Sequence, residues 1–134
     1  EQIVKQGGTI LMASECSEGI PDHGNFRALL REGKTPEELM QIIHHAKDPI
    51  LDQWQVQILA RILMKADIYL FSTLPDDEVR AAHINPCKDI GQLVRELSMR
   101  ADASGQEKKP FRMAVLPEGP QTVPYLPLAD GKPA

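Results

Sequence analysis

Short uninterrupted apolar runs alternate with helical sequence along this chain, and that alternation restricts the fold more than any other feature. Thr9-Ile10-Leu11-Met12-Ala13 follows the pair Gly7-Gly8, and Ile68-Tyr69-Leu70-Phe71 follows Ala66-Asp67. Each run suits a strand buried on both faces. Arg112-Met113-Ala114-Val115-Leu116 is the third such run. Strands separated by helical segments predict an α/β fold: a mostly parallel sheet with helices on both faces, a three-layer α/β/α arrangement. Ligands of such folds sit beyond the carboxyl ends of the strands. Residues 15–19, 72–75 and 117–119 therefore share one candidate edge.

The helical segments carry their own punctuation. Asn25 is placed to cap a short helix over 26–31, which Gly33 ends. In Thr35-Pro36-Glu37-Glu38, threonine caps, proline fits the first turn and Glu38 completes a capping box. Leu39, Ile42, Ile43 and Ala46 then mark one apolar face, until about His45. Asp52 opens the strongest helix, which runs to residue 64 or 65. Trp54, Ile58 and Ile62 form one row of it, Leu59 and Leu63 lie beside them, and Gln53, Gln57 and Arg61 form a polar row. So wide an apolar face predicts substantial burial. Residues 76–82 read as a brief helix before a turn at Asn85-Pro86. Residues 89–100 are amphipathic, with Ile90, Leu93, Val94 and Leu97 inward. Residues 101–110 are expected to be a mobile loop, 117–120 a turn, 123–126 a last extended segment and 129–134 a flexible tail.

With 134 residues the chain fits one domain and can bury a core, since roughly two thirds of its unfolded surface can disappear on folding. Aromatics are only 4% of it, so aliphatic residues must fill that core. A net charge of −4 argues against a dedicated nucleic-acid binder, which needs a basic face. The two cysteines, Cys16 and Cys87, stand in no metal-like spacing and suit a reducing compartment. No apolar run approaches the roughly 20 residues of a membrane span, and no signal peptide is visible. A cytoplasmic location is expected. The chain begins at Glu1, and Glu1-Gln2-Ile3-Val4-Lys5-Gln6 before Gly7-Gly8 reads as the last turns of a helix. Such a helix would start before residue 1, so the chain is expected to be a fragment of a larger two-domain protein.

Little in the residues themselves spells out chemistry. His44 and His45 are adjacent, about 100° apart on a helix, and suit its C-terminus better than a shared metal ion. His23 and His83 have no ligand at metal spacing beside them. Cys16 has acidic neighbours and lacks the positive surroundings of a nucleophile. Gly7-Gly8 precedes its strand, so it is no phosphate-cradling loop. Trp54 stands out, in the first turn of the strongest helix. An indole there could stack on a flat ligand ring, or it could anchor the helix to the sheet. No catalytic constellation and no metal site can be specified.

Two strings go further. Lys5-Gln6-Gly7-Gly8-Thr9-Ile10-Leu11-Met12-Ala13 and Asp52-Gln53-Trp54-Gln55-Val56-Gln57-Ile58-Leu59-Ala60-Arg61-Ile62-Leu63 resemble the last part of lactate racemase-like proteins. The strand Ile68-Tyr69-Leu70-Phe71-Ser72, the Ala82-His83 stretch and Val115-Leu116-Pro117-Glu118-Gly119 fit the same family. The resemblance implies that residues 1–128 are the C-terminal α/β domain of a two-domain isomerase, a racemase or epimerase of small 2-hydroxy acids. It implies a nickel-pincer nucleotide as cofactor, held by a lysine and histidines upstream of residue 1. On that reading this chain is one wall of the interdomain site and inactive alone, with its missing N-terminal domain as partner. It carries no catalytic or metal-binding residue, and Trp54 and Gln53 face the cofactor from the cleft. Gln57 matches the family as well. The alternative is a non-catalytic nucleotide-binding or protein-interaction α/β module.

Overall fold

The computed structural model describes residues 3–103 and 111–122. These fall into two compact units, one spanning Ile3–Lys88 and the other beginning at Asp89. The first unit holds β1 (Gly8–Ala13), α1 (Phe26–Glu32), α2 (Pro36–His45), α3 (Gln53–Leu63), β2 (Ala66–Phe71), α4 (Asp76–Ala81) and β3 (Asn85–Cys87). Its three strands form one parallel sheet in the order β1-β2-β3. In register, Ile10 pairs with Ile68, Leu11 with Tyr69, and Phe71 with Cys87. The parallel α/β class expected from the sequence is the class observed.

Both crossovers step the same way across the sheet. Right-handed connections therefore put α1–α3 and α4 on the same face. Contacts between these helices agree. Arg27 and Arg31 of α1 reach Glu78 of α4 at 3.8 and 3.3 Å. Beyond α4, the His83 ring Nε2–H donates to the Leu30 carbonyl at 2.9 Å. The core on this face is aliphatic, built from Leu29, Leu30, Leu39, Ile43, Val56 and Ala60. On β2 burial alternates: Ala66, Ile68 and Leu70 are buried, whereas Asp67 and Phe71 are exposed. The sequence predicted a strand buried on both faces. Period two wins because successive side chains point to opposite sides of the sheet.

Local chemistry explains the helix ends, with some surprises. At α2 the Glu38 N–H donates to Thr35 Oγ1 at 3.2 Å, as the capping box requires. The return bond lands one residue early, from the Lys34 N–H to Glu38 Oε2 at 2.8 Å. Asn25 precedes α1 without capping it through its side chain. Gly33 ends α1 at φ −97°, so no left-handed residue is needed there. Near the start, the described residues 3–7 form turns rather than the end of a helix. Gly7 takes the positive φ, +68°, and its N–H donates to the Lys65 carbonyl at 2.8 Å.

The third strand is a correction. Residues 111–116 carry no regular structure, with Met113 and Val115 well exposed. The third strand is β3, at the Asn85-Pro86 position that read as a turn. Proline lacks the donor a central strand needs, but β3 is an edge strand, where that loss is tolerated.

The second unit, described by itself, contains α5 (Ile90–Ala103) and a 3₁₀ turn, Gly119–Gln121. Asp89 Oδ1 accepts the Gln92 N–H at 2.8 Å at the start of α5. Leu93 is buried as predicted, whereas Ile90 faces outward. The segments at 104–110 and 123–134, including the expected extended run at 123–126 and the tail, lie outside the described residues. Among the described residues no helix is long and apolar enough to cross a membrane.

Candidate functional site

The carboxyl edge of the sheet gathers three connections. β1 runs into residues 14–25, α2 is joined to α3 by residues 46–52, and β2 runs into residues 72–75. A two-residue turn joins α3 to β2, so α3 lies antiparallel to that strand and its N-terminus returns to the carboxyl edge. Hydrogen bonds stitch the connections together. The Ser14 N–H donates to the Phe71 carbonyl at 3.0 Å, and the Thr73 N–H and hydroxyl both donate to the Glu15 carbonyl, at 3.2 and 2.7 Å. The Asn25 N–H donates to Asp52 Oδ2 at 3.2 Å. Of the three segments assigned to this edge from sequence, 15–19 and 72–75 thus meet. Residues 117–119 belong to the second unit.

Trp54 sits at this edge, in the first turn of α3, and is 60% exposed. It is not a core anchor within this chain. The buried row of α3 is Val56 and Ala60, both fully enclosed, while Ile58 is 46% exposed on the Trp54 side. The sequence predicted substantial burial for a wide apolar face that includes Trp54, Ile58, Ile62, Leu59 and Leu63; the structure leaves Trp54 and Ile58 exposed and the other three half-buried. A hollow of about 500 Å³ is lined by Pro49, Ile50, Leu51, Asp52, Gln53 and Trp54. Its lining is mostly apolar, with one flat aromatic, and it is open to solvent. A second hollow, about 340 Å³, lies at the amino ends of the strands, beside Ala66, Asp67, Arg80 and His83.

Gln53 has a defined task. Its Oε1 accepts the Ile50 N–H at 2.7 Å and closes the turn that begins α3. Asp52, which the sequence places at the opening of the helix, does not cap it: it adopts φ 65° and ψ 3° and makes no side-chain bond to its own helix. Cys16, on the loop after β1, is another non-glycine residue with positive φ, at 54°. Neither signal was visible in the residue types alone.

His23 lies exposed in the connection after β1, and the other histidines are held by their own helix or by the loop after α4. On α2, the His45 Nδ1–H donates to the Gln41 carbonyl at 2.8 Å, and its ring meets that of His44 edge to face, 5.6 Å between centroids. His83, expected at the surface, is half-buried by its bond to Leu30. Among the described residues no three histidine, cysteine, aspartate or glutamate side chains come close enough together to hold a metal ion.

Such a fold and edge define a parallel α/β domain with an exposed tryptophan at the carboxyl edge of its sheet. A family model described as "Lactate racemase C-terminal domain" matches residues 1–123, and the chain belongs to that family. It is 35% identical over 98 residues to a lactate racemase of Thermoanaerobacterium thermosaccharolyticum, covering 71% of this chain and 23% of that protein. It is 29% identical over 117 residues to a lactate racemase of Lactiplantibacillus plantarum, covering 86% of this chain and 26% of the relative. The solved lactate racemase apoprotein from T. thermosaccharolyticum superimposes with a TM-score of 0.61 at 31% identity, over 71% of this chain and 23% of that one. The chain thus spans about a quarter of the length of the curated relatives it matches.

Proposed function

We propose that residues 1–128 form the C-terminal domain of a cytoplasmic racemase or epimerase of small 2-hydroxy acids, closing one wall of a site shared with an N-terminal domain. The observation that carries this reading is the exposed Trp54 at the carboxyl edge of the sheet, on the outer row of α3 with Ile58. An apolar helix face left open to water is the feature that a second domain would cover. The relatives' names supply the reaction class, and the roughly three quarters of their length outside the match supply the room for an N-terminal domain.

A nickel-pincer nucleotide is the cofactor we infer for the whole protein. The residues present fit its organic part and not its metal: a flat indole borders an apolar hollow, and the described residues bring no metal-binding triplet together. Trp54 would hold the ring by its face, and Gln53 would face the group with the amide nitrogen, its oxygen being engaged by Ile50. When bound, the cofactor supplies the acceptor for a hydride taken from the hydroxy-acid carbon. The part played by this chain is to orient that group and keep water from one side of it.

The test restores the upstream domain, loads the cofactor and follows racemisation of several 2-hydroxy acids with and without Trp54→Ala. Loss of one wall of the site should lower turnover by about tenfold or more. Wild-type rates in the variant would remove Trp54 from the site.

A further inference from the structure

We propose that Asp52 is a positioning residue, one that fixes the loop after β1 to the start of α3 and so sets the direction of the Trp54 indole; its relevance to catalysis rests on the site proposed above. An aspartate that merely caps a helix has extended backbone and bonds to N–H groups of its own first turn. Asp52 does neither: its backbone is left-handed, at φ 65°, and its carboxylate turns away from α3 to accept the Asn25 N–H at 3.2 Å. Gln53 closes the turn ahead of the helix: its side-chain oxygen accepts the Ile50 N–H at 2.7 Å, and its own N–H donates to the Ile50 carbonyl at 3.1 Å.

The loop has a matching recess. Gly24 sits at φ +73°, and a Cβ there would collide with Asp52 Oδ2. Glycine is required twice over, for its backbone and for the close approach of the carboxylate. The loop is fixed at its other end by Thr73, through Glu15. Asp52 thus joins a fastened loop to the turn from which Trp54 projects, two residues later.

Trp54 is the sole tryptophan of the 134 residues, so its fluorescence reports on this turn alone. Asp52→Gly keeps the left-handed backbone and removes the acceptor, and Asp52→Asn keeps both. In the 134-residue chain, Asp52→Gly should lower the fluorescence anisotropy of Trp54 and speed hydrogen exchange at the Asn25 amide, with helical circular dichroism unchanged. Asp52→Asn should restore both values. In the unmodified chain the Asn25 amide should exchange more slowly than an unbonded amide of the same sequence context. Unchanged anisotropy in Asp52→Gly, or no protection of Asn25 in the parent, overturns the proposal. In the cofactor-loaded full-length enzyme, Asp52→Gly should cut turnover about tenfold, the scale of a small misplacement. A loosened indole with undiminished turnover would leave Asp52 as the clamp and refute the assignment of Trp54 to the active site.

Discussion

Gly33 adopts a φ of −97°, which any residue tolerates, yet it has little room for a side chain. A Cβ at that position would stand 2.9 Å from both Cδ2 and the backbone nitrogen of Leu39, one of the most deeply buried residues of the core. The sequence suggested a helix stop, and the structure gives a packing reason instead. Gly33→Ala should therefore destabilise the chain by about 1–3 kcal/mol, as overpacking does, read as a lower midpoint in urea. Single letters conveyed part of such detail. Thr35, Pro36 and Glu38 announced their helix start because a capping box is local chemistry. Asp52 misled for the same reason: its residue type suits a cap, and only the fold brings the Asn25 N–H, 27 residues away in sequence, to its carboxylate. Trp54 was conspicuous as a residue, but whether it faced solvent depended on which side of α3 the sheet took.

At the scale of elements, α3 shows why periodicity failed there. Apolar residues cover most of it outside the row of Gln53, Gln57 and Arg61, so the pattern does not say which part of so wide a face is innermost. The face was chosen by size: small Val56 and Ala60 allow the close approach to α1 and α2, while Trp54 and Ile58 are left outside. Ala60→Leu should accordingly cost about 1–3 kcal/mol of stability. Ile58→Gln should stay within about 0.5 kcal/mol in the isolated chain, as surface changes do, yet weaken association with the upstream domain. Denaturant titrations of both variants, with and without that domain, check the pair of outcomes. The strands divide in a similar way. β1 and β2 were legible as apolar runs bounded by turns, whereas β3 is three residues long and contains a proline. Its pairing with β2, not its composition, makes it a strand. The run at 112–116 has strand-like residues without that pairing.

For the molecule as a whole, fold class and family were both open to reading from sequence, the first through alternation and the second through the Asp-Gln-Trp helix. Which residues would border a shared site was only partly so, because a wall is defined by what it faces. The isolated chain should neither racemise lactate nor bind nickel at micromolar concentration, since it brings together no metal-binding triplet among its described residues. Adding the upstream domain in trans should raise its thermal midpoint, by an amount equivalent to about 2.7 kcal/mol at a hundredfold excess over Kd. An unchanged midpoint under saturating conditions would count against a shared interface. One further consequence follows from the bond between Gly7 and Lys65. That bond pins the incoming chain at the amino ends of the strands, the far side of the sheet from Trp54. Any polypeptide joined ahead of residue 3 has to climb the height of a six-residue strand, roughly 20 Å, before it can reach the indole. A tether shortened below about six extended residues would hold a preceding domain out of reach, however well the two surfaces matched.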